Sequence, residues 1–277
     1  MWQKIPKDEL YKAEAFLRAQ EEYCVGACAR FLRIKESKGH VWRLKSPEPE
    51  ITALLLHHRQ ALFPVFNKKT DIPGPRFLNR FLGKVQIHAI QGLKEDAELL
   101  ERLMESQRYY ATERIDYDLM SLNEPPRLDK IKPASRGLVI RHPLPEDTED
   151  LFKLQAAYEQ EEVVPKTGAF DPASCRLNLS RLLSNEYILV AELDGQVIGK
   201  INTSSKSFTR YQIGGVYIRP DCRGRGIAAK MTAVFVQNLL TKAKGITLFV
   251  KKRNAPARAV YRKLGFRVLG DYRISYY

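Results

Sequence analysis

Residues 216–229 read Val216-Tyr-Ile-Arg-Pro-Asp-Cys-Arg-Gly-Arg-Gly-Ile-Ala-Ala229: an apolar run breaks into an arginine–glycine loop and then begins a helix. Gly224 and Gly226 let the backbone turn tightly and approach a ligand with no Cβ in the way. The amides of the first helical turn are free to bind a ligand, and together with Arg223 and Arg225 they favour a negatively charged one. The stretch therefore predicts an anion site, in the first place for phosphate, between a strand and a helix.

The composition favours a two-domain globular protein with a polyanionic ligand. The chain has 277 residues, about twice the usual domain size, and 44% of them are hydrophobic. Of a formal net charge of +14, most lies in residues 135–277, which carry 23 basic and 13 acidic side chains. A basic surface also suits nucleic acid, but no RNP, zinc-finger or helix-turn-helix signature accompanies it. A small polyanion is therefore the preferred prediction.

Signals for membranes, metals and disulfides are missing from the sequence. The N-terminus has no apolar core of signal-peptide length, and no run of about 18 apolar residues occurs, so we expect a cytoplasmic protein with no membrane partner. Cys24 and Cys28 lie four residues apart in a helical stretch, and Cys175 and Cys222 are isolated. We expect buried free thiols and no metal site. Nothing in the sequence indicates a homo-oligomer.

A polar segment with three prolines between Leu122 and Gly137 marks a domain boundary, since it lacks amphipathic periodicity. We predict domains at residues 1–130 and 135–277. The second begins with a strand at Leu138–His142 and continues as helix, helix, strand, strand, strand, helix, strand, helix, strand. Asp194-Gly195 joins two of these strands as a hairpin, so the sheet contains antiparallel pairs. The predicted fold class is mixed α/β.

The first domain is also predicted to be α/β, and its elements suggest a diverged copy of the same fold. Helical stretches cover Lys7–Arg33, and three strand-like runs follow. From the third run onward the order strand, helix, strand, helix, strand repeats that of the second domain. The segment Thr70-Asp-Ile-Pro-Gly-Pro-Arg76 occupies the place of the phosphate loop. Its two prolines have no amide donors and it has a single glycine. We therefore expect this copy to have lost the anion site. The further predicted elements are a helix near Arg76–Phe81, a strand at Val85–Ile90, a helix at Lys94–Met104 and a strand at Arg114–Leu119.

Two common phosphate loops fit residues 216–229 poorly. The P-loop pattern Gly-x4-Gly-Lys-Ser/Thr is absent from the sequence. A dinucleotide fingerprint is formally present as Gly224-x-Gly226-x-x-Ala229, but the ribose-binding acid expected about 20 residues later is missing. The sequence there is Gly245-Ile-Thr-Leu-Phe-Val-Lys-Lys.

Two motifs resemble those of the GNAT-type N-acetyltransferase superfamily. Arg223-x-x-Gly226-x-Ala228 is similar to its pyrophosphate motif, and Asn254-x-x-Ala257-x-x-x-Tyr261-x-x-x-Gly265-Phe266 is similar to its second hallmark. The motifs stand in the family's order, separated by a helix and a strand. The resemblance covers residues 137–277, about half the chain. It implies the GNAT acyl-CoA N-acyltransferase fold there, acetyl-CoA as co-substrate without a metal, and transfer of an acetyl group to a primary amine by direct attack.

The resemblance also implies roles for single residues. Acetyl-CoA would lie between two splayed parallel strands that end near Ile218 and Val250, and Gly214-Gly215 suits the bulge that splays them. One strand amide would face the thioester carbonyl, where it stabilises developing negative charge. Tyr261 would be the general acid that protonates the departing thiolate. The pantetheine contacts implied are Val216, Tyr217 and Ile218; the loop that binds pyrophosphate comprises Arg223, Gly224, Arg225, Gly226, Ile227, Ala228 and Ala229; Asn254 and Ala257 complete the cofactor set.

The sequence does not identify a general base. The strand before the loop, Ser207 to Ile218, contains no carboxylate or histidine, although the family often places a glutamate there. Glu159, Glu161 and Glu162 are candidates for the base or for recognition of the acceptor amine, and a solvated acidic turn is the alternative. A non-catalytic acyl-CoA-binding regulatory module therefore stays open as a second function.

Several candidate residues also have a purely structural interpretation. Asn254 suits a helix N-cap with Pro256 in the first turn, which is compatible with a cofactor contact. Lys251-Lys-Arg253 is interpreted as an exposed basic strand end or as a contact for the 3′-phosphate of CoA. His142 is expected to be structural.

Overall fold

A computed structural model describes most of the chain, and its residues group into two compact units. Unit 1 comprises Met1–Leu119 and Leu269–Tyr277, and unit 2 comprises Met120–Val268. The last strand, which we predicted within the second domain, thus groups with the first. The described residues are 2–36, 39–44, 50–67, 86–131, 136–165 and 168–277.

Unit 1 contains a sheet in the order β1-β2-β3-β4-β5-β12. Its neighbouring strands are antiparallel except β4 and β5, which run parallel. The described elements are β1 (Trp2–Lys4), α1 (Leu10–Ala19), α2 (Val25–Glu36), β2 (His40–Leu44), β3 (Ala53–His58), β4 (Ala61–Phe66), β5 (Ala89–Leu93), α3 (Lys94–Glu105) and β6 (Glu113–Leu122), with residues 269–276 of the last strand, β12 (Arg267–Tyr276).

The core of unit 1 forms between α3 and the sheet. Apolar residues of α3 recur at helical spacing and are fully buried, so one face of the helix covers the strands. Burial of a Leu or Ile side chain of this kind contributes about 2 kcal/mol each. The shared cluster includes Ala97, Leu100 and Met104 of α3 and Leu55, Leu62 and Ile90 of the sheet.

Charge pairs and strand pairing explain why residues 269–277 belong to unit 1. Tyr272 to Tyr276 pair with β5. The Arg273 guanidinium binds Asp116 of β6, with Nε 2.7 Å from Oδ1, and holds the pKa of that carboxyl down at about 2, assisted by Lys94. Ser275 Oγ donates to the buried Glu101 of α3. The sequence alone gave no sign of these long-range partners.

Unit 2 contains a sheet in the order β11-β10-β9-β8-β7, in which only β10 and β11 run parallel. The hairpin between β8 and β9 turns at Asp194 and Gly195, both left-handed, with φ of 51° and 80°. This hairpin and the order of elements are as predicted. The elements are β7 (Leu138–Arg141), α4 (Thr148–Tyr158), α5 (Pro172–Asn185), β8 (Ile188–Leu193), β9 (Gln196–Lys206), β10 (Arg210–Ile218), α6 (Ile227–Leu240), β11 (Gly245–Lys251) and α7 (Ala255–Leu264).

The sheet of unit 2 is covered on both faces. On one face the buried side of α6 and the end of α7 meet β10 and β11, in a cluster with Met231, Phe235 and Ile246. On the other face Leu151 and Leu154 of α4 pack with Tyr217 of β10. Because both faces are covered, β11 is buried at every residue except the half-buried Phe249.

Along the chain the order strand, helix, helix, strand, strand, strand occurs twice, as β1 to β4 and as β7 to β10. Each series is followed by a strand parallel to its last one, a helix and a further strand, β6 in the first case and β12 in the second. Some elements differ from the sequence predictions. The strand β1 was not predicted, the helical stretch Lys7–Arg33 is broken around residues 20–24, and β5 begins only at Ala89. The predicted helix near Arg76–Phe81 and the segment Thr70–Arg76 lie outside the described residues.

His58 at the end of β3 makes the stability of unit 1 depend on pH. Burial, and then the charge of Arg30, lower the pKa of His58 from 6.5 to about 4. Between these values the unfolded chain binds the proton and the folded one does not, so stability falls as the pH falls from about 6.5 to about 4. We expect His58→Gln to lose less stability than wild type between about pH 7 and about pH 4.5. Both tryptophans of the chain, Trp2 and Trp42, lie in unit 1, so urea unfolding followed by tryptophan fluorescence reports this unit. Equal acid sensitivity of the two proteins would contradict the prediction.

Candidate functional site

The parallel strands β10 and β11 separate after a short pairing. They pair at Arg210↔Gly245, Tyr211↔Ile246 and Gln212↔Thr247, and β10 then continues to Ile218 without a further partner position on β11. A β-bulge lies three residues beyond the last pair, on the separated part of β10. The register of β10 on β9 shifts between Gly214 and Tyr217, which leaves Gly215 and Val216 opposite the single residue Ile201. The predicted bulge at Gly214-Gly215 is thus present.

A buried lysine on β9 occupies the bulge. Lys200 is 2% exposed, and its Nζ donates to Gly215 O at 3.1 Å and to Asn202 Oδ1 at 3.0 Å. The ammonium also lies over the Tyr158 ring, 4.9 Å from its centroid. Burial lowers the pKa of Lys200 to about 7, against the opposing effect of the Glu159 charge. Gly215 is left-handed, with φ of 58°, and a Cβ there would overlap the Asn202 amide and come 2.8 Å from Lys200 Nζ.

Lys200 is not among the site residues predicted from the sequence. The available signal was a lysine in the middle of the run Val197-Ile-Gly-Lys-Ile201, whose other residues are apolar or glycine. A lysine in such a run is normally assigned to a solvent-facing position, because ammonium groups are rarely buried.

The loop after β10 has the geometry of an anion cradle. Gly224 and Gly226 are both left-handed, with φ of 78° and 77°. Gly226 is the N-cap of α6 and no side chain caps it, so the first amides of the helix, those of Ile227 to Ala229, are open to a ligand. A Cβ at Gly224 would meet nothing within 4 Å, so space lies in front of the loop. These residues fit a diphosphate.

The Arg223 side chain turns back from the loop. Its Nε donates to Ile218 O at 3.0 Å, and the guanidinium lies over the Tyr217 ring, 5.2 Å from the centroid. Its other two nitrogens bind Glu161, at 3.1 and 2.8 Å. Arg223 therefore ties the loop to the end of β10, while Arg225 stays exposed and makes a 3.4 Å contact with Asp221 O.

The three candidate glutamates lie on one π-helical turn, Glu159–Val163, which we call the acidic turn. Glu161 pairs with Arg223, which lowers the pKa of its carboxyl. Glu162 accepts from Asn254 Nδ2 at 3.1 Å and pairs with Lys251 Nζ at 3.0 Å. The acidic turn thus contacts a residue of each of the two motifs quoted above.

Glu159 points elsewhere than its two neighbours. Its Oε1 accepts from Gln155 Nε2 at 2.8 Å and from Asn178 Nδ2 at 3.5 Å. Its charge is also the largest influence that raises the pKa of Lys200. Glu159 therefore faces the bulge, whereas Glu161 and Glu162 face the loop and the second motif.

Asn254 caps α7 as its position in the sequence suggested. Its Oδ1 accepts from Ala257 N at 3.1 Å, and Pro256 lies in the first turn. Lys251 differs from the expected exposed strand end: its side chain is 6% exposed and neutralised by Glu162, whereas Lys252 and Arg253 are exposed. Lys252 and Arg253 are therefore more accessible than Lys251 to a ligand such as the 3′-phosphate considered above.

Tyr261 lies on the buried side of α7. Its ring contacts Phe266 edge-on at 5.7 Å, and the residue is 7% exposed. Burial first, and then Tyr158 and Glu162, raise the pKa of its phenol well above the ordinary value. The side chain therefore holds its proton at neutral pH.

The other residues considered in the sequence, His142 and the four cysteines, pack against neighbouring side chains or are buried. His142 packs edge-on against Tyr187, 5.1 Å between centroids. Cys24 and Cys28 are buried free thiols with their sulfurs 3.6 Å apart, and Cys175 and Cys222 are buried too. In the part of the chain that the structure describes, no three His, Cys, Asp or Glu side chains converge to hold a metal ion, and no helix is long and apolar enough to cross a membrane.

Known sequences resemble unit 2. Residues 149–266 match the acetyltransferase (GNAT) family. Over 92 residues the chain is 32% identical to a mycothiol acetyltransferase of Saccharomonospora viridis, and this alignment covers 30% of each protein. Over 62 residues it is 37% identical to the peptidyl-lysine N-acetyltransferase YjaB of Salmonella typhimurium, which covers 22% of this chain and 40% of the relative. The chain thus spans less than half the length of these curated relatives.

Solved structures match the whole chain in fold. A Drosophila protein aligns with 100% of this chain and 98% of its own, at a TM-score of 0.68 and 12% identity. A tandem GNAT protein from the clavulanic acid biosynthesis pathway aligns over the same shares, at a TM-score of 0.56 and 12% identity. At such identities the likeness concerns the fold alone, and it agrees with a mixed α/β chain of two domains.

Replacement of Gly215 by alanine tests the packing of the bulge. The control is Gly195→Ala, since Gly195 is also left-handed, with φ of 80°, but has nothing within 4 Å of an added Cβ. The control measures the left-handed strain alone, about 1–2 kcal/mol. We expect Gly215→Ala to cost about 1–3 kcal/mol more, because Asn202 and Lys200 must move. Urea unfolding followed by circular dichroism gives both values, and equal losses for the two variants would contradict the packing described.

Proposed function

Because residues 149–266 are a domain of the GNAT acetyltransferase family, we propose that this protein is an N-acetyltransferase that moves the acetyl group of acetyl-CoA to a primary amine. The observation that carries the proposal is the separation of β10 from β11 after Gln212, with the Gly215 bulge on the separated part of β10 and a glycine loop and an uncapped helix after it. A slot between two strands and an anion cradle at its end suit a long, extended thioester with a diphosphate.

We assign acetyl-CoA, the acetyl donor, to the slot between β10 and β11. The amides of Gly224 to Ala229 bind the pyrophosphate, aided by the positive end of α6 and the charge of Arg225. The open edge of β10 pairs with the pantetheine arm as an added strand does, through the backbone groups of Val216 and Ile218, while Tyr217 between them pairs with β9. Asn254 and Ala257 line the start of α7. Arg223 holds the loop against β10 and so acts on the pyrophosphate through the loop backbone.

Transfer is proposed as direct attack. The amine nitrogen forms a bond to the acetyl carbon while the carbon–sulfur bond breaks, and the sulfur takes a proton from the Tyr261 phenol. Tyr261 fits this role because its raised pKa keeps it protonated until a thiolate forms beside it. Of the three glutamates of the acidic turn, we assign Glu159 to remove the amine proton, directly or through water, since its hydrogen-bond partners are neutral: the amides of Gln155 and Asn178 and the Cys175 thiol. Glu161 and Glu162 are assigned to hold the two motifs.

The activity is tested by release of CoA when the full chain is mixed with acetyl-CoA and a panel of acceptors. The panel holds small amines, peptides with a free N-terminus and peptides with an internal lysine. We expect thiol release and an acetylated product, seen by mass, with at least one acceptor class. Tight binding of acetyl-CoA with no turnover on any acceptor would contradict the proposal.

Replacement of Tyr261 by phenylalanine tests the general acid. We expect kcat to fall by about 10²-fold or more, with the Kd for acetyl-CoA unchanged, because the ring still fills its place against Phe266. Tyr272→Phe is the matched control: Tyr272 is a buried tyrosine of unit 1 whose pKa is likewise raised by burial. An unchanged kcat in Tyr261→Phe would remove Tyr261 from the mechanism.

The second candidate function is a regulatory module that binds acyl-CoA without catalysis. The observation in its favour is the composition of β10, which contains no carboxylate or histidine. Binding of acetyl-CoA by wild type, no turnover with the panel and no effect of Tyr261→Phe on any measured property would support it.

A further inference from the structure

The peptide group between Gly215 and Val216 connects the buried lysine to the slot. The Gly215 carbonyl and the Val216 N–H belong to one planar trans peptide, so they point in opposite directions and turn together. Lys200 Nζ donates to that carbonyl at 3.1 Å. The lysine therefore fixes the direction of the Val216 N–H without touching it.

The alternation of backbone groups along β10 shows in which direction the Val216 N–H points. Arg219 N donates to Ile198 O at 2.8 Å, so Arg219 faces β9. Successive residues of a strand present their backbone groups to alternate edges, so Tyr217 also faces β9, and Val216 and Ile218 face the other edge. That edge is the one from which β11 has separated. The Val216 N–H thus points into the slot.

The hydrogen bond to the carbonyl also strengthens the N–H as a donor. An ammonium bound to a carbonyl oxygen polarises the whole amide, and in a buried setting this effect on the opposite N–H is larger than in water. Lys200 is almost fully buried, and its other contacts, with Asn202 and the Tyr158 ring, hold it in place.

We propose that Lys200 is a positioning residue of the transfer reaction: through the Gly215 carbonyl it orients and polarises the Val216 N–H toward the thioester oxygen of the donor. The proposal rests on the proposed acetyltransferase function. As negative charge develops on that oxygen during attack, a pre-oriented N–H donor stabilises it. Lys200 itself contacts neither substrate.

Burial of this lysine contributes little net stability, because taking an ammonium out of water costs free energy. Its removal leaves the buried Asn202 Oδ1 and Gly215 O without this donor, which costs some stability in turn. Met has nearly the shape of the lysine chain. We therefore expect Lys200→Met to fold, so that a loss of activity is separable from a loss of structure, with circular dichroism as the check.

The test is infrared spectroscopy of bound acetyl-CoA labelled with ¹³C at the carbonyl, without an acceptor. In wild type we expect the carbonyl stretch to lie below that of free acetyl-CoA, because an N–H donor polarises the bond. In Lys200→Met we expect most of this shift to be lost, with the Kd for acetyl-CoA within about twofold and kcat lower by about 10²-fold. Lys206→Met, at an exposed lysine of the same strand, is the control that keeps both the shift and kcat.

The outcomes separate this inference from the proposed function. A wild-type protein that does not bind acetyl-CoA contradicts the proposed function. If wild type binds acetyl-CoA and turns it over, but the carbonyl stretching frequency of the bound thioester equals that of free acetyl-CoA, the proposed role of Lys200 is overturned without any variant. An identical stretch in wild type and Lys200→Met overturns it too, whatever happens to kcat. If Lys200→Met does not fold, Lys200→Gln removes the charge and carries the same comparison.

Discussion

The bulge in β10 is the constraint on which the rest of unit 2 depends. The pairing with β11 ends at Gln212, and the extra residue of β10 at Gly215 and Val216 follows on the separated part of the strand, whose open edge leads to the glycine loop. Only glycine fits the left-handed backbone there, because Asn202 and Lys200 fill the space of a side chain. A buried cation, a backbone carbonyl and a glycine thus form one packed arrangement beside the slot.

Electrostatics then joins the elements around the slot. Two basic residues beside the slot are paired with the acidic turn: Arg223 of the glycine loop with Glu161, and Lys251 at the end of β11 with Glu162. The Glu161 pair is exposed and worth little free energy, so it is easily exchanged for other partners. The Glu162 pair is more buried and also anchors Asn254, the cap of α7. The acidic turn therefore holds the start of α7 through the more buried contacts of Glu162, and the glycine loop only through the exposed Glu161–Arg223 pair. A weakly held loop suits a site that must accept a polyanion.

Local sequence signals predicted the framework of unit 2 well. The left-handed hairpin at Asp194-Gly195, the bulge glycines and the cap at Asn254 each depend on a few neighbouring residues, and the structure contains all three. What the sequence did not predict depends on residues far apart in the chain. Nothing local indicates Gly215 as the partner of Lys200, and the pairing of β12 with β5 joins residues more than 170 positions apart. The functional roles of the site residues stay predictions.

A structure of the full chain with CoA tests the central claim most directly. We predict the pyrophosphate on the amides of Gly224 to Ala229 and the pantetheine arm along the open edge of β10, with the thiol end near Val216. We also predict that the Lys200 ammonium keeps its bond to the Gly215 carbonyl in the complex. CoA bound with its phosphates away from this loop, or a slot closed by continued pairing of β10 with β11, would contradict the claim.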